Sequence, residues 1–262
     1  MIAVGAHDHN HFGDVDESGA VYIYRYDGTN WIEEAELRAS DPQEYAEFGH
    51  GVAVSLDGNV VVVGAPFPHV HNGADGAAYV FRFNGEEWVE EAKLEPSDGS
   101  GDDVFCENPA INGDVIICGA HKHFHEGVDS GSAYVFRFNG TEWIEDMELL
   151  AFDGEHGDAF GYASAVIGDT VLVGAMMDNN EYGNVAGAIY VYSLCPDDQV
   201  PCEGDANEDG IVDPLDAGFV LARFGCPVGT GDPSCDAADQ NGDGIVDPLD
   251  SGFVLARFGE CP

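Results

Sequence analysis

Two stretches near the C-terminal end place oxygen-bearing side chains at the spacing that a hard divalent cation demands. In DANEDGIVDPLD, the residues Asp205, Asn207, Asp209, the carbonyl of Ile211, Asp213 through a water, and Asp216 fall at ligand positions of a twelve-residue calcium loop. DQNGDGIVDPLD repeats the set with Asp239, Asn241, Asp243, Ile245, Asp247 and Asp250. Gly210 and Gly244 stand at position six, where such a loop turns sharply. Four carboxylates crowded into each loop repel one another without a cation, so two calcium ions are expected to be part of the local fold.

A second group of residues suits softer metals. His7, His9 and His11, then His69 and His71, then His121, His123 and His125 each follow a Gly-Ala pair at alternating positions. Neutral imidazole binds zinc, copper or nickel, and alternation in an extended segment turns the rings to one side. A transition-metal site is one reading of these loops, and solvated loop histidines are the other. Met176, Met177 and Asn179 take the corresponding place in the fourth repeat. No Gly-x-Ser-x-Gly, HExxH or phosphate loop occurs, and in so acidic a chain carboxylates pair by chance. No catalytic residue is assigned, and an enzyme is not the expected class.

The elements that must position these groups come from repeats. GAVYIYRYDGTNWIEEAEL from Gly19, GAAYVFRFNGEEWVEEAKL from Gly76 and GSAYVFRFNGTEWIEDMEL from Gly131 are one cassette, with a shortened copy, GAIYVYSL, from Gly187. Aromatics at every second position predict a strand, and Asp-Gly or Asn-Gly supplies the positive φ of a tight turn. A second strand carrying Trp31, Trp88 or Trp143 completes a hairpin, at a period of about 55 residues that signals repeat folds. Each cassette is preceded by a run ending in Gly-Ala, at 2–6, 60–65, 115–120 and 171–175, apolar on both faces as a strand inside a packed sheet requires. Further strands are predicted from Phe48, Phe105 and Phe160. Four strands joined by short turns are the anatomy of a propeller blade. Arg25, Arg82 and Arg137 share one cassette position, where a charge pair with a neighbouring strand's Glu is expected. Asp41, Asp98 and Asp153 mark the loops between blades.

Phe48-Gly49 and Phe160-Gly161, with Gly64-Ala65-Pro66, resemble the FG-GAP repeats of integrin α-chain-type β-propellers and of their bacterial extracellular relatives. The resemblance covers residues 1–194. The Asp-rich calcium hairpin of some integrin-type repeats is here reduced to SLDGN, INGD or IGDT, so calcium is not expected on the blades. The strands predicted number three, four, four and three, fewer than the family's usual ring of about seven blades requires. A piece of a longer propeller is expected, with a four-bladed ring or an arc completed by another chain as alternatives.

After the linker 195–204, the segment 205–262 resembles the dockerin type I module, a loop–helix unit used twice with Asp at loop position twelve. That resemblance implies docking to a cohesin-like partner, with Pro214, Leu215, Pro248 and Leu249 at the family's contact positions in place of its common hydroxyl pair. The expected fold class is mainly β, with four-stranded antiparallel propeller blades and a small α-helical calcium-loop domain. The expected function is extracellular adhesion or scaffolding, with a protein or glycan ligand on the propeller. A glycan-degrading enzyme, or a non-catalytic piece of one tagged by the dockerin-like module, is the alternative.

Charge and cysteines agree with that setting. The 262 residues include 50 acidic and 8 basic ones, a net charge of -42 that repels nucleic acid and anionic lipid and attracts divalent cations. Seven cysteines suggest an oxidising compartment. Cys226 with Cys235 and Cys202 with Cys261 are the favoured pairs, although Cys195 competes for either end. No membrane span is legible, and an extracellular or cell-surface location is expected, with the signal peptide absent from this sequence.

Overall fold

The apolar run at the start of the chain forms β1 (Ile2–Ala6), and the first aromatic cassette folds as the hairpin β2 (Ala20–Tyr26) and β3 (Trp31–Leu37). The computed structural model describes residues 1–10, 18–67, 76–99, 103–125, 128–179, 185–194 and 211–212. In it the pattern recurs as β4 (Val52–Val54), β5 (Val60–Ala65), β6 (Ala77–Phe83) and β7 (Trp88–Leu94). It recurs again as β8 (Ala110–Asn112), β9 (Val115–Ala120), β10 (Ser132–Phe138) and β11 (Trp143–Leu149). The last set is β12 (Phe160–Ile167), β13 (Thr170–Ala175), β14 (Ala188–Leu194) and β15 (Ile211–Val212). Sheets follow chain order: β1-β2-β3, β4-β5-β6-β7, β8-β9-β10-β11 and β12-β13-β14-β15. Among the described residues there is no helix, and none long and apolar enough to cross a membrane.

The cassettes are hairpins, as their alternation predicts. Phe83 pairs with Trp88 and Phe138 with Trp143 across four-residue loops rather than two-residue turns. Asn84 and Asn139 close these loops by accepting two backbone N–H bonds each through Oδ1, while Gly85 takes φ 102°. An Asn side chain that caps its own turn stabilises the longer loop without φ > 0 at both central positions. Each hairpin also carries a bulge, between Ile23 and Tyr24, Val80 and Phe81, and Val135 and Phe136.

The double-sided apolar pattern is explained by packing in two of its four occurrences. Along β5, Val61 and Val63 join a core with Val21, Ile23, Phe48, Tyr79 and Phe81, while Val60 and Val62 join the next core with Phe105, Ile116, Tyr134 and Phe136. All six residues of β5 and of β9 are buried. In β1 and β13 the expectation fails: Ile2, Val4 and Leu172 are exposed. Their sequences suit an interior strand, but burial of both faces needs a packed sheet on each side. The strands predicted from Phe48 and Phe105 shrink to three residues, because the Phe and the residue after it sit in a tight connection instead. The fourth set has four strands rather than the expected three, since β15 pairs with β14 through Ser193–Val212 and Leu194–Ile211.

The chain divides into two compact units, Met1–Val166 with Val173–Ile189, and Ile167–Leu172 with Tyr190–Pro262. Ile211, whose carbonyl is an expected calcium ligand, lies in β15 of the second unit. The other calcium-loop residues, the four expected partner contacts, His11, His69, His71, the predicted helices and the five C-terminal cysteines fall outside the described residues.

Candidate functional site

The side chains that repeat in the cassette build a connection between consecutive sheets. Arg25 pairs with Glu34 and Arg82 with Glu91 (Nε–Oε1, 2.7 Å), the cross-strand pairs with Glu that were expected, and in the third copy Asp146 takes the place of Glu beside Arg137 (2.5 Å). Trp88 of the second hairpin donates its indole N–H to Glu34 of the first at 3.0 Å, and Trp143 does the same to Glu91. Arg25 lies over the ring of Phe83 and Arg82 over that of Phe138, at 5.4 and 4.9 Å. A carboxylate shared by a guanidinium and an indole, with the guanidinium stacked on the neighbouring ring, ties the first sheet to the second and the second to the third. The hydrogen bond from Arg25 holds Glu34 below the usual carboxylate range, with burial opposing. For Glu91 burial acts against ionisation, and the bonds from Arg82 and Trp143 outweigh it. Sequence alone showed the Arg, Glu and Trp positions repeating; it gave no sign that Glu and Trp meet across sheets.

A second contact pins the loops. Ser40 donates its backbone N–H and hydroxyl to Glu90, at 2.8 and 2.7 Å, and Ser97 does the same to Glu145 at 2.8 and 2.6 Å. Asp41 and Asp98, expected in these loops, accept the hydroxyls of Tyr79 and Tyr134 at 2.7 and 2.8 Å. Lys93 completes the second-repeat arrangement, with Nζ 2.9 Å from Asp41.

Close backbone approach accompanies these contacts. A Cβ on Gly64 would overlap the carbonyl oxygen of Cys106, and one on Gly119 that of Gly161. Cys106 stands in the place held by Gly49 and Gly161 in the other repeats and shares their positive φ, at 61°. It forms a disulfide with Cys118, twelve residues on, a pairing not foreseen from sequence.

Among the described residues, the candidate histidines do not share one side. His123 follows a turn in which its N–H donates to the Ala120 carbonyl at 2.9 Å, so the segment is not extended and alternation does not align the rings. His121 faces Glu107 (3.5 Å) and stacks edge-on to Tyr162; burial pushes its pKa down against the pull of Glu107. His7 lies beside His50, and His9 beside Tyr22. His123 and His125 come together with Asp98 and Glu148: one ligand atom from each of the four lies within 4.8 Å of the others. Asp98 stands out in the sequence only as one of the recurring loop Asp residues, and Glu148 has no motif of its own. What could have singled them out is the cassette alignment, which puts Glu148 where the second repeat has Lys93. In the fourth repeat, Tyr162, Ala175, Met176 and Gly187 line an open, mainly apolar depression.

The FG-GAP repeat model matches residues 31–81, 88–136 and 143–192, more than half the chain. This chain belongs to the FG-GAP repeat family. Each FG-GAP match begins at the outer strand of one sheet and ends in the aromatic strand of the next, so the family's sequence unit is offset from the sheet, and the Glu34–Trp88 and Glu91–Trp143 contacts each join two consecutive matches. The antiparallel four-stranded sheets fit propeller blades of this FG-GAP type. Comparison with curated proteins returned no match.

Proposed function

We propose that this chain is an extracellular calcium-binding interaction protein. Its FG-GAP blades present a surface for a protein or glycan ligand, and its C-terminal segment docks onto a cohesin-like partner. The reading is carried by the pair of loops at Asp205 and Asp239, which set six oxygen ligands in the same register 34 positions apart. Two such loops, nearly identical through the following GFVLARFG, supply a module that a partner can grip in either of two related orientations. Calcium then acts as the condition for docking, because eight ligand carboxylates cannot converge without it. Secretion fits the disulfide between Cys106 and Cys118 and the net charge of -42.

Calorimetry on the full chain tests this with Asp205→Ala, Asp239→Ala and the double variant. The parent should bind two calcium ions at these loops, each single variant one fewer, and the double variant neither. Capture by an immobilised cohesin domain should need calcium and survive disruption of Pro214-Leu215 or Pro248-Leu249 singly but not together. Calcium binding unchanged in the double variant would overturn the proposal.

A further inference from the structure

We infer that Asp98, His123, His125 and Glu148 form a binding site for one divalent transition-metal ion of the zinc class, independent of the calcium loops. The starting point is a difference between two repeats in equivalent surroundings. In the second repeat Tyr79 donates to Asp41, and Lys93, paired with Tyr79 across the strands, brings its ammonium to that carboxylate. In the third repeat Tyr134 donates to Asp98 in the same way, but its cross-strand partner is Glu148. A cation in one repeat is thus replaced by a second carboxylate in the next. Two facing carboxylates need a positive charge between them, and in the third repeat the imidazoles of His123 and His125 stand at that point.

The imidazoles are set up to ligate. His123 is 3% exposed, and its Nδ1 lies 2.8 Å from the carboxylate of Asp103, itself buried. A carboxylate at that distance accepts a hydrogen bond from Nδ1–H, which keeps the proton there and the lone pair on Nε2, the outer-shell arrangement common to metal-bound histidines. That Nε2 faces Asp98 Oδ2 at 3.7 Å and Glu148 Oε1 at 3.9 Å, both too long for hydrogen bonds. Glu148 Oε1 is buried without a hydrogen-bond partner among the described residues, while Oε2 stands 3.4 Å from Nδ1 of His125. Lone pairs and anionic oxygens therefore converge with no proton donor between them at His123.

The spacing suits zinc. Bonds of about 2.0–2.1 Å put tetrahedral ligand atoms roughly 3.3 Å apart, and with three contacts at 3.4–3.9 Å and all four ligand atoms within 4.8 Å of one another, side-chain movement brings the set to that spacing. Calcium, which collects six to eight oxygens at longer distance, does not fit a set half made of imidazole. Four protein ligands from the interblade loop, the turn after β9 and β11 would fill the coordination sphere, as in a structural site. His121, turned toward Glu107, takes no part.

The test is zinc chloride titration of the full chain, stripped of metal and then held in excess calcium, followed by calorimetry and by the visible spectrum of the cobalt-substituted protein. The parent should take up one zinc more than Glu148→Lys, which rebuilds the second-repeat arrangement, and His125→Ala and Asp98→Asn should weaken that zinc at least tenfold. His121→Ala should bind as the parent does. Metal-free Glu148→Lys should melt at or above the metal-free parent, which separates loss of the site from loss of the fold. If Glu148→Lys fails to fold, His125→Ala and Asp98→Asn decide alone. Zinc uptake unchanged in those variants, or lost equally in His121→Ala, would overturn the assignment.

Discussion

Trp143 donates its indole N–H to the carboxylate of Glu91 in the preceding hairpin, at 3.0 Å, and the same carboxylate takes two bonds from Arg82, at 2.7 and 3.0 Å. Trp88 and Glu34 repeat the relationship one sheet earlier. Burial follows the presence of a preceding sheet: Trp143 is 8% exposed, whereas Trp31, in the first described hairpin, is 49% exposed. The residue type is the same, and the neighbouring sheet decides whether it is a surface aromatic or part of a junction.

Acid should loosen these junctions late. Glu34 is held low first by its bond from Arg25, and Glu91 by Arg82 and Trp143 against the opposing effect of burial. A carboxyl whose folded-state pKa lies below its unfolded value of about 4.3 contributes its full stability above that value and loses it as pH falls through the lower one. Melting temperature followed from neutral pH downward should therefore hold until pH nears about 4.3 and fall from there until it passes below the lowered folded-state values. Glu34→Gln with Glu91→Gln should flatten that acid limb; an unchanged limb would remove the junction carboxylates from the account.

Equivalent glycines should differ in tolerance. Gly64→Ala and Gly119→Ala drive a methyl into a backbone carbonyl of the adjoining connection, which cannot yield as a side chain can. Each should cost at least about 2 kcal/mol in urea unfolding. Gly174, at the same motif position in the fourth repeat, has its nearest neighbour 3.7 Å from such a methyl. Gly174→Ala should fall within about 0.5 kcal/mol of the parent. A uniform penalty at all three would mean that strand conformation, not interblade approach, selects glycine there.

The Cys106–Cys118 bridge should show two separable effects. Closing a loop with a sequence separation of 12 is worth about 3 kcal/mol by restricting the unfolded chain. Cys106 also occupies φ 61°, a region costing a non-glycine residue roughly 1–2 kcal/mol. With Cys118→Ala as the common background, Cys106→Gly should be less destabilised than Cys106→Ala by about 1 kcal/mol. Equal denaturant midpoints would show that the bridge alone matters.

Hairpins, Gly-Ala strands and the Arg–Glu pairs were legible in the sequence because they depend on local terms: period-two alternation, turn chemistry and cross-strand neighbours a few residues apart. The proposed calcium loops rest on the same kind of local pattern, since all their expected ligands lie within twelve residues. Relationships between sheets were not legible. The alternation of His121, His123 and His125 pointed to one shared side, yet a turn held by the Ala120 carbonyl sends His121 to Glu107 and the other two to Asp98 and Glu148. β1 and β13 have the composition of buried strands and remain partly exposed, because composition states what a face can pack against and not whether a partner is there. By itself, then, the sequence determined the repeating strand-and-turn units, whose energetics are local. Tertiary structure alone decided which carboxylate meets which indole or imidazole, because those contacts join residues about 25 to 55 positions apart and exist only once sheet packs on sheet.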